Sequence, residues 1–162
     1  MIPIRIGHGY DVHRFSPDRP LILGGIEIPN AGEFGLLGHS DADVLTHAVI
    51  DALLGAIGEG DIGRHFPDSD DRYKGICSML LLAEVIGLVR DRGYSLGNLD
   101  VTVIAQKPRL SRFIPLIRKS LAQAFGADET QINVKATTEE GLGFTGALLG
   151  MAAHAVCTLY AQ

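Results

Sequence analysis

Asp11 and His13 stand two residues apart in Gly9-Tyr10-Asp11-Val12-His13. On an extended strand, residues i and i+2 share a face, so a carboxylate and an imidazole here converge on one ion. The spacing alone fits equally well a plain turn in which Asp11 orients His13. A second group lies in Ser40-Asp41-Ala42-Asp43-Val44-Leu45-Thr46-His47, continuing to Asp51. Asp43, His47 and Asp51 are spaced i, i+4, i+8 and share one helical face. An Asp one turn away from His47 is expected to accept its other ring N–H and fix the tautomer. A solvated polar stripe is the plainer alternative. Added to Asp11 and His13, this helix makes a mixed N/O site for Zn²⁺.

Three further segments carry groups suited to phosphate or nucleoside. His39-Ser40 opens the helix, where free N–H groups attract anions and a His adds a donor. Its plainer reading is an N-cap beside an exposed His. Lys135 to Phe144 runs from a strand into hydroxyls, carboxylates and glycines, a cradle for phosphate and Mg²⁺ or simply a polar turn. Ala105-Gln106-Lys107-Pro108-Arg109-Leu110 is a strand end entering a helix through Pro, where backbone groups hold a flat ligand or only turn the chain.

The hydropathy pattern sets the elements that must position these groups. Ile2 to His13 reads as a strand, and Leu21 to Ile28 as a short hairpin about Gly24-Gly25. Ala31 to Leu37 reads as a loop. A helix capped by Ser40, with Asp43 completing a capping-box-like pair, runs to the glycines between Gly55 and Gly63. His65 to Lys74 reads as an exposed, mobile loop. Helices follow over Ile76–Arg92 and Pro108–Gly126, with strands over Leu99–Gln106 and Ile132–Thr137. Ala147 to Tyr160 reads as a long buried strand. The expected fold is a two-layer α/β sandwich of the α+β kind: one mixed sheet with helices packed on one face, in a single domain spanning residues 1–162.

Composition narrows the function classes. The chain has 162 residues, 46% apolar and 20% charged, which excludes a disordered protein. Fourteen basic against nineteen acidic side chains give a net charge of −5, and there is no Trp. Nucleic-acid binding is therefore disfavoured. No signal peptide or apolar span suited to a membrane is visible, so a cytoplasmic location is expected, or an organelle interior after loss of a transit peptide. Cys77 and Cys157 read as two buried thiols in a reducing compartment. Five of the six histidines lie in the first 65 residues, so the polar chemistry concentrates in the N-terminal half.

The segments GHGYDVHRF, LLGHSDADVLTHAVIDALLGA, GDIGRHFPD, VTVIAQKPRL and VKATTEEGLGFTG together resemble the 2-C-methyl-D-erythritol 2,4-cyclodiphosphate synthase family. The resemblance runs in order from about Ile4 to Gly146. It implies a homotrimer with sites between subunits. It also implies intramolecular phosphoryl transfer in non-mevalonate isoprenoid synthesis, from a CDP-methylerythritol 2-phosphate to a cyclic diphosphate and CMP.

Carried over by position, Asp11, His13 and His47 would hold Zn²⁺, with Val12 beside the substrate. His39 and Thr138 would be catalytic, stabilising the transition state, and Ser40 would meet the phosphates. Asp61, Ile62 and Gly63 would hold the methylerythritol hydroxyls. Phe66, Pro67, Asp68, Ser69 and Asp70 would form a loop over the site. Ala105, Gln106, Lys107, Pro108, Arg109, Leu110 and Ser111, with Thr137 and Thr138, would cradle cytidine. Glu140 would hold Mg²⁺ or Mn²⁺, with Glu139 and Phe144 nearby.

Phosphoryl transfer needs positioning and charge neutralisation more than covalent help, and divalent cations offset the repulsion of clustered phosphates. Two other readings share the ligand set: a zinc-dependent phosphohydrolase, and a non-enzymatic trimeric zinc-binding protein. This chain departs from the family pattern at Ala147 (usually Arg), Glu139 (often Thr) and Ile76-Cys77 (usually Ala-Asp). The last is expected to alter packing only, away from the zinc ligands.

Overall fold

The computed structural model describes residues 3–29 and 33–162. The expected strand start at Ile2 and loop start at Ala31 lie outside the described residues. The strands are β1 (Ile4–Ser16), β2 (Leu21–Leu23), β3 (Ile26–Ile28), β4 (Gly35–Leu37), β5 (Tyr94–Ile104), β6 (Ile132–Thr137) and β7 (Gly150–Ala161). The helices are α1 (Val44–Ile57), α2 (Ile62–His65), α3 (Ser78–Asp91), α4 (Ile114–Phe125) and α5 (Gly143–Gly146).

Five strands form a mixed sheet in the order β4-β1-β7-β5-β6, and β2 and β3 pair as a separate hairpin. Only β5 and β6 run parallel, because α4 carries the chain back across the sheet between them. Alternation divides the sheet into two faces. Leu99, Val101, Val103, Ile132 and Val134 point inward beside Ala153, Ala155, Cys157 and Leu159, all buried. The opposite face presents Ile6, Tyr10, Val12, Val156 and Tyr160, of which Ile6 is 70% exposed. Helices cover one face, as the patterning requires, and the other is left bare, apolar along much of β1 and β7 and polar on β5 and β6, where Asp100, Asn133 and Lys135 stand.

The contact between α1 and β1 is unusually close. A Cβ on Gly9 would lie 1.9 Å from the Ala48 carbonyl oxygen, and one on Gly7 would lie 1.8 Å from that of Ala52. With Ala48, Ala52 and Ala56 on the facing side of the helix, small residues let the two backbones touch. These two glycines serve packing rather than ligand contact.

Several expected boundaries shift. The N-cap of α1 is Asp43, not Ser40, and its carboxylate accepts from the Thr46 N–H. Gly55 lies inside α1, which ends at left-handed Gly58. Leu37 and its neighbours form β4 on the end of β1 rather than a loop. The segment His65–Lys74 contains a 3-10 turn over Asp71–Tyr73 and buries Phe66 edge-on against Tyr73. β5 starts five residues earlier than read, and α4 starts at Ile114 rather than Pro108. Ala147 to Leu149 precede β7, which alternates between covered and bare faces instead of being buried throughout. Cys157 is buried, whereas Cys77 is exposed, so only one thiol matches its expected environment.

Candidate metal centre and flanking clefts

β1 turns Asp11 and His13 inward, and the close α1 contact sets His47 against them. Asp11 Oδ2 lies 2.9 Å from His13 Nε2 and 3.0 Å from His47 Nδ1. The two ring nitrogens are 3.1 Å apart. Ligand atoms on a tetrahedral zinc with bonds of ~2.0 Å stand about 3.3 Å apart, so one carboxylate oxygen and two imidazole nitrogens fit such an ion here. Among the described residues, these three form the cluster of at least three His, Cys, Asp or Glu side chains able to share an ion.

The ring orientations are fixed from behind. His13 Nδ1 faces the Leu37 carbonyl at 2.9 Å. A carbonyl only accepts, so Nδ1 carries the proton and Nε2 presents its lone pair to the cluster. The strand β4, invisible to hydropathy, supplies that carbonyl. His47 Nε2 faces Ser78 Oγ at 2.8 Å and Ser40 Oγ at 3.1 Å, which leaves Nδ1 toward Asp11.

The expected carboxylate partners of His47 do other work. Asp43 is fully buried and accepts from Gly24 N, Gly25 N, Thr46 N and Thr46 Oγ1, tying α1 to the β2–β3 hairpin. Asp51 accepts from Ile62 N at 2.8 Å and anchors α2. Ser78, which follows the Ile76-Cys77 departure and has no expected role, reaches a metal-ligand candidate directly. Its signal was a lone Ser at the start of an apolar helix, which carries no chemistry until the fold places it.

In the metal-free protein burial alone would raise the Asp11 carboxyl, but the His13 and His47 rings, which donate to it when their inward nitrogens carry protons, outweigh burial and hold the pKa at about 2; an ion at the cluster would take the place of those protons. Burial opposes protonation of His13, yet the Asp11 carboxylate overcomes it and raises its pKa. Burial raises Asp43 despite its N–H donors.

A cavity of about 490 Å³ opens over the cluster. It is lined by Asp11, His13, His47, His39, Ser40, Ile62, Gly63, Phe66, Pro67 and Asp68. His39 Nε2 lies 3.4 Å from the Asp70 carbonyl, and its own carbonyl accepts from Gly75 N. Arg19 donates to the Ser40 carbonyl at 2.6 Å.

Other expected residues stand apart from this cavity. Val12 points to the bare sheet face. Asp61 caps α2 by accepting from Arg64 N, Ser69 is exposed, and Asp70 pairs with Arg72 at 2.6 Å.

A second cleft of about 330 Å³ gathers Ala105, Gln106, Pro108, Arg109, Leu110, Ser111, Thr137 and Thr138. Lys107 lines an adjoining one with Glu33 and Phe34, which also includes Thr138. Glu139 accepts from Thr145 Oγ1. Glu140 is exposed with φ 54°, and Phe144 is 38% exposed. The cavity over the cluster shares no lining residue with either of these clefts. His39 and Thr138 therefore occupy different depressions of one chain.

Comparison with known proteins decides the family. A sequence model of the YgbB family matches residues 4–160. The chain belongs to the YgbB family. It is 60% identical over 159 residues to a 2-C-methyl-D-erythritol 2,4-cyclodiphosphate synthase of Trichlorobacter lovleyi, covering 98% of this chain and all of that one. The corresponding protein of Clostridioides difficile is 54% identical over 156 residues, covering 96% of each.

Solved structures agree. The bifunctional IspDF of Campylobacter jejuni superposes with a TM-score of 0.93 at 45% identity, covering 98% of this chain and 42% of that larger one. A CDP complex of IspF from Plasmodium falciparum superposes with a TM-score of 0.86 at 34% identity, covering 100% and 99%. The hydrolase and non-enzymatic readings find no support among these family relatives. No helix among the described residues is long and apolar enough to cross a membrane.

Proposed function

We propose that the chain converts 4-CDP-2-C-methyl-D-erythritol 2-phosphate to 2-C-methyl-D-erythritol 2,4-cyclodiphosphate and CMP. The 2-phosphate oxygen forms a bond to the β-phosphorus. The bond from that phosphorus to the bridging oxygen breaks, and CMP leaves with that oxygen. The observation that carries the reading is the convergence of Asp11, His13 and His47 at the mouth of a cavity in a chain of this family.

Asp11, His13 and His47 would hold Zn²⁺, which when bound supplies positive charge and Lewis acidity beside the phosphates. Glu140, with substrate oxygens, would hold Mg²⁺ or Mn²⁺. His39 and Ser40 donate hydrogen bonds to phosphate from the zinc side. Ile62 and Gly63 face the methylerythritol, with Asp61 at their edge, and residues 66–70 border the same space. Residues 105–111, Thr137 and Thr138 hold the cytidine and its phosphates, with Lys107 and Arg109 offsetting charge. A tethered nucleophile already has a high effective concentration, so the protein chiefly brings two ends of the substrate together.

The separation of the two depressions supports a site shared between chains. We assign a homotrimer in which each site takes its zinc half from one chain and its cytidine half from the next. The apolar part of the bare sheet face supports burial against neighbouring copies. The enzyme works in the cytoplasm or an organelle interior.

Two assays test the reading. Purified protein with substrate, Zn²⁺ and Mg²⁺ releases CMP and a cyclic diphosphate. Inorganic phosphate without the cyclic product would return the reading to a hydrolase. Co-assembled equal amounts of two inactive variants, His13→Ala and Arg109→Ala with Thr138→Ala, regain about a quarter of wild-type activity if halves come from different chains. Recovery of none places both halves in one chain.

A further inference from the structure

The back of His47 shows an ordered run of donors. The Asp41 carboxylate only accepts. Its Oδ1 lies 2.5 Å from Ser78 Oγ, the short limit of the range for a hydroxyl donating to a carboxylate. Its Oδ2 accepts from Ser78 N at 3.0 Å, and Oδ1 also accepts from Asp43 N at 3.2 Å. With its single proton committed to Asp41, Ser78 Oγ has only lone pairs to offer His47. His47 Nε2, 2.8 Å away, must then be the donor. Ser40 Oγ accepts from Ala42 N and lies 3.1 Å from the same ring nitrogen, but an Nε2 lone pair turned to it would still face the Ser78 lone pairs at 2.8 Å, so the order holds. Ser78 is fully buried and His47 is only 8% exposed, so water has no ready access to replace the run.

We infer that Asp41 and Ser78 are positioning residues that hold the His47 proton on Nε2 and so keep the Nδ1 lone pair facing Asp11 and His13. This rests on the metal-centre reading above. It transfers to Asp41, through Ser78, the role that sequence spacing assigned to Asp43 or Asp51. It also gives the two ligand histidines opposite tautomers: Nδ1–H on His13 and Nε2–H on His47. The geometry calls for both, because His13 faces Asp11 with Nε2 and His47 faces it with Nδ1.

Asp41→Asn is a near-isosteric probe. Its amide offers one oxygen and one NH₂ where the carboxylate offered two acceptors. If the NH₂ faces Ser78 Oγ, the hydroxyl turns round and donates to His47 Nε2. The His47 proton then moves to Nδ1, where it blocks the cluster. If the NH₂ faces Ser78 N, two donors oppose each other at the start of α3. Ser78→Ala removes the hydroxyl but leaves the bond between the residue 78 N–H and Asp41.

The test combines zinc affinity by chelator competition with ¹⁵N spectra of the histidine rings. In zinc-loaded wild-type protein, His47 is expected to carry its proton on Nε2 and the metal on Nδ1. Ser78→Ala and Asp41→Asn should weaken zinc ~10–100-fold, the range for second-layer partners of metal-binding histidines. Urea unfolding of the variants separates this loss from misfolding. A proton on Nδ1 of His47, or metal on Nε2, overturns the inference whatever the variants do. So does zinc affinity within threefold of wild type in both folded variants. A wild-type protein that binds no zinc instead removes the metal-centre reading, and the relay with it.

Discussion

Replacing Gly9 by Ala tests whether backbone contact between β1 and α1 builds the metal centre. The added Cβ would lie 1.9 Å from the Ala48 carbonyl oxygen and 2.7 Å from Ala52 N. Ordinary contact begins near 3.4 Å, so strand and helix must separate by about 1.5 Å. Neither obstacle is a side chain that can swing away; both belong to the helix backbone. The expected destabilisation is about 3 kcal/mol, at the upper end for overpacking. The same displacement carries His47 Nδ1 away from Asp11 Oδ2, now 3.0 Å distant, past the spacing of about 3.3 Å that one tetrahedral ion spans. Urea unfolding should therefore show a lower midpoint at unchanged slope, and chelator competition should show zinc weakened at least tenfold under conditions where the variant is folded. Unchanged midpoint and unchanged zinc affinity would refute the reasoning, since the helix would then have yielded without cost or consequence.

Other outcomes follow from the same geometry. Asp43→Ala removes an acceptor of four hydrogen bonds and leaves buried N–H groups unpaired; it should cost about 3 kcal/mol in urea unfolding and speed amide exchange at Gly24 and Gly25. In metal-free protein, the Asp11 carboxyl, at about 2 against an ordinary 3.8, contributes stability that is complete above pH 3.8 and lost as pH falls toward 2. The raised pKa of His13 acts oppositely: its contribution is complete below 6.5 and lost as pH rises through the raised value. Unfolding in chelator should thus show greatest stability from this pair between pH 3.8 and 6.5, and Asp11→Asn should flatten both flanks. Ile6→Asp puts a charge on the bare sheet face and should shift the proposed trimer toward monomer by light scattering, while leaving the folding of each chain intact.

Much of the layer order was legible because hydropathy reports it directly. Leu99–Gln106 and Ile132–Thr137 alternate or run apolar as buried parallel strands must, and α1 and α3 carry apolar positions at helical spacing. Short elements were not legible. β4 has three residues, too few for a period, and it exists because β1 offers an open edge. Ser40 reads as the N-cap with Asp43 as its capping-box partner, since both types accept backbone N–H bonds. The choice fell to Asp43 because the hairpin brings Gly24 N and Gly25 N to the same carboxylate.

The site divides along the same line. Residue type and period alone brought Asp11 and His13 to one face of one strand and placed His47 on a helix, because ligand chemistry and i+2 alternation are local. Residue chemistry joined the two groups into one mixed N/O site, and family resemblance then narrowed the helix group of Asp43, His47 and Asp51 to His47. Only the tertiary structure decided which nitrogen of each His faces inward. That depends on Leu37, Ser78 and Asp41, which are brought in by a short edge strand, the start of α3 and the loop before α1. Likewise, the sequence shows 20 glycines, but only packing shows why Gly7 and Gly9 are needed: the helix backbone occupies the space a side chain would fill. Distances between elements arise from three-dimensional contact, and no local spacing in the chain encodes them.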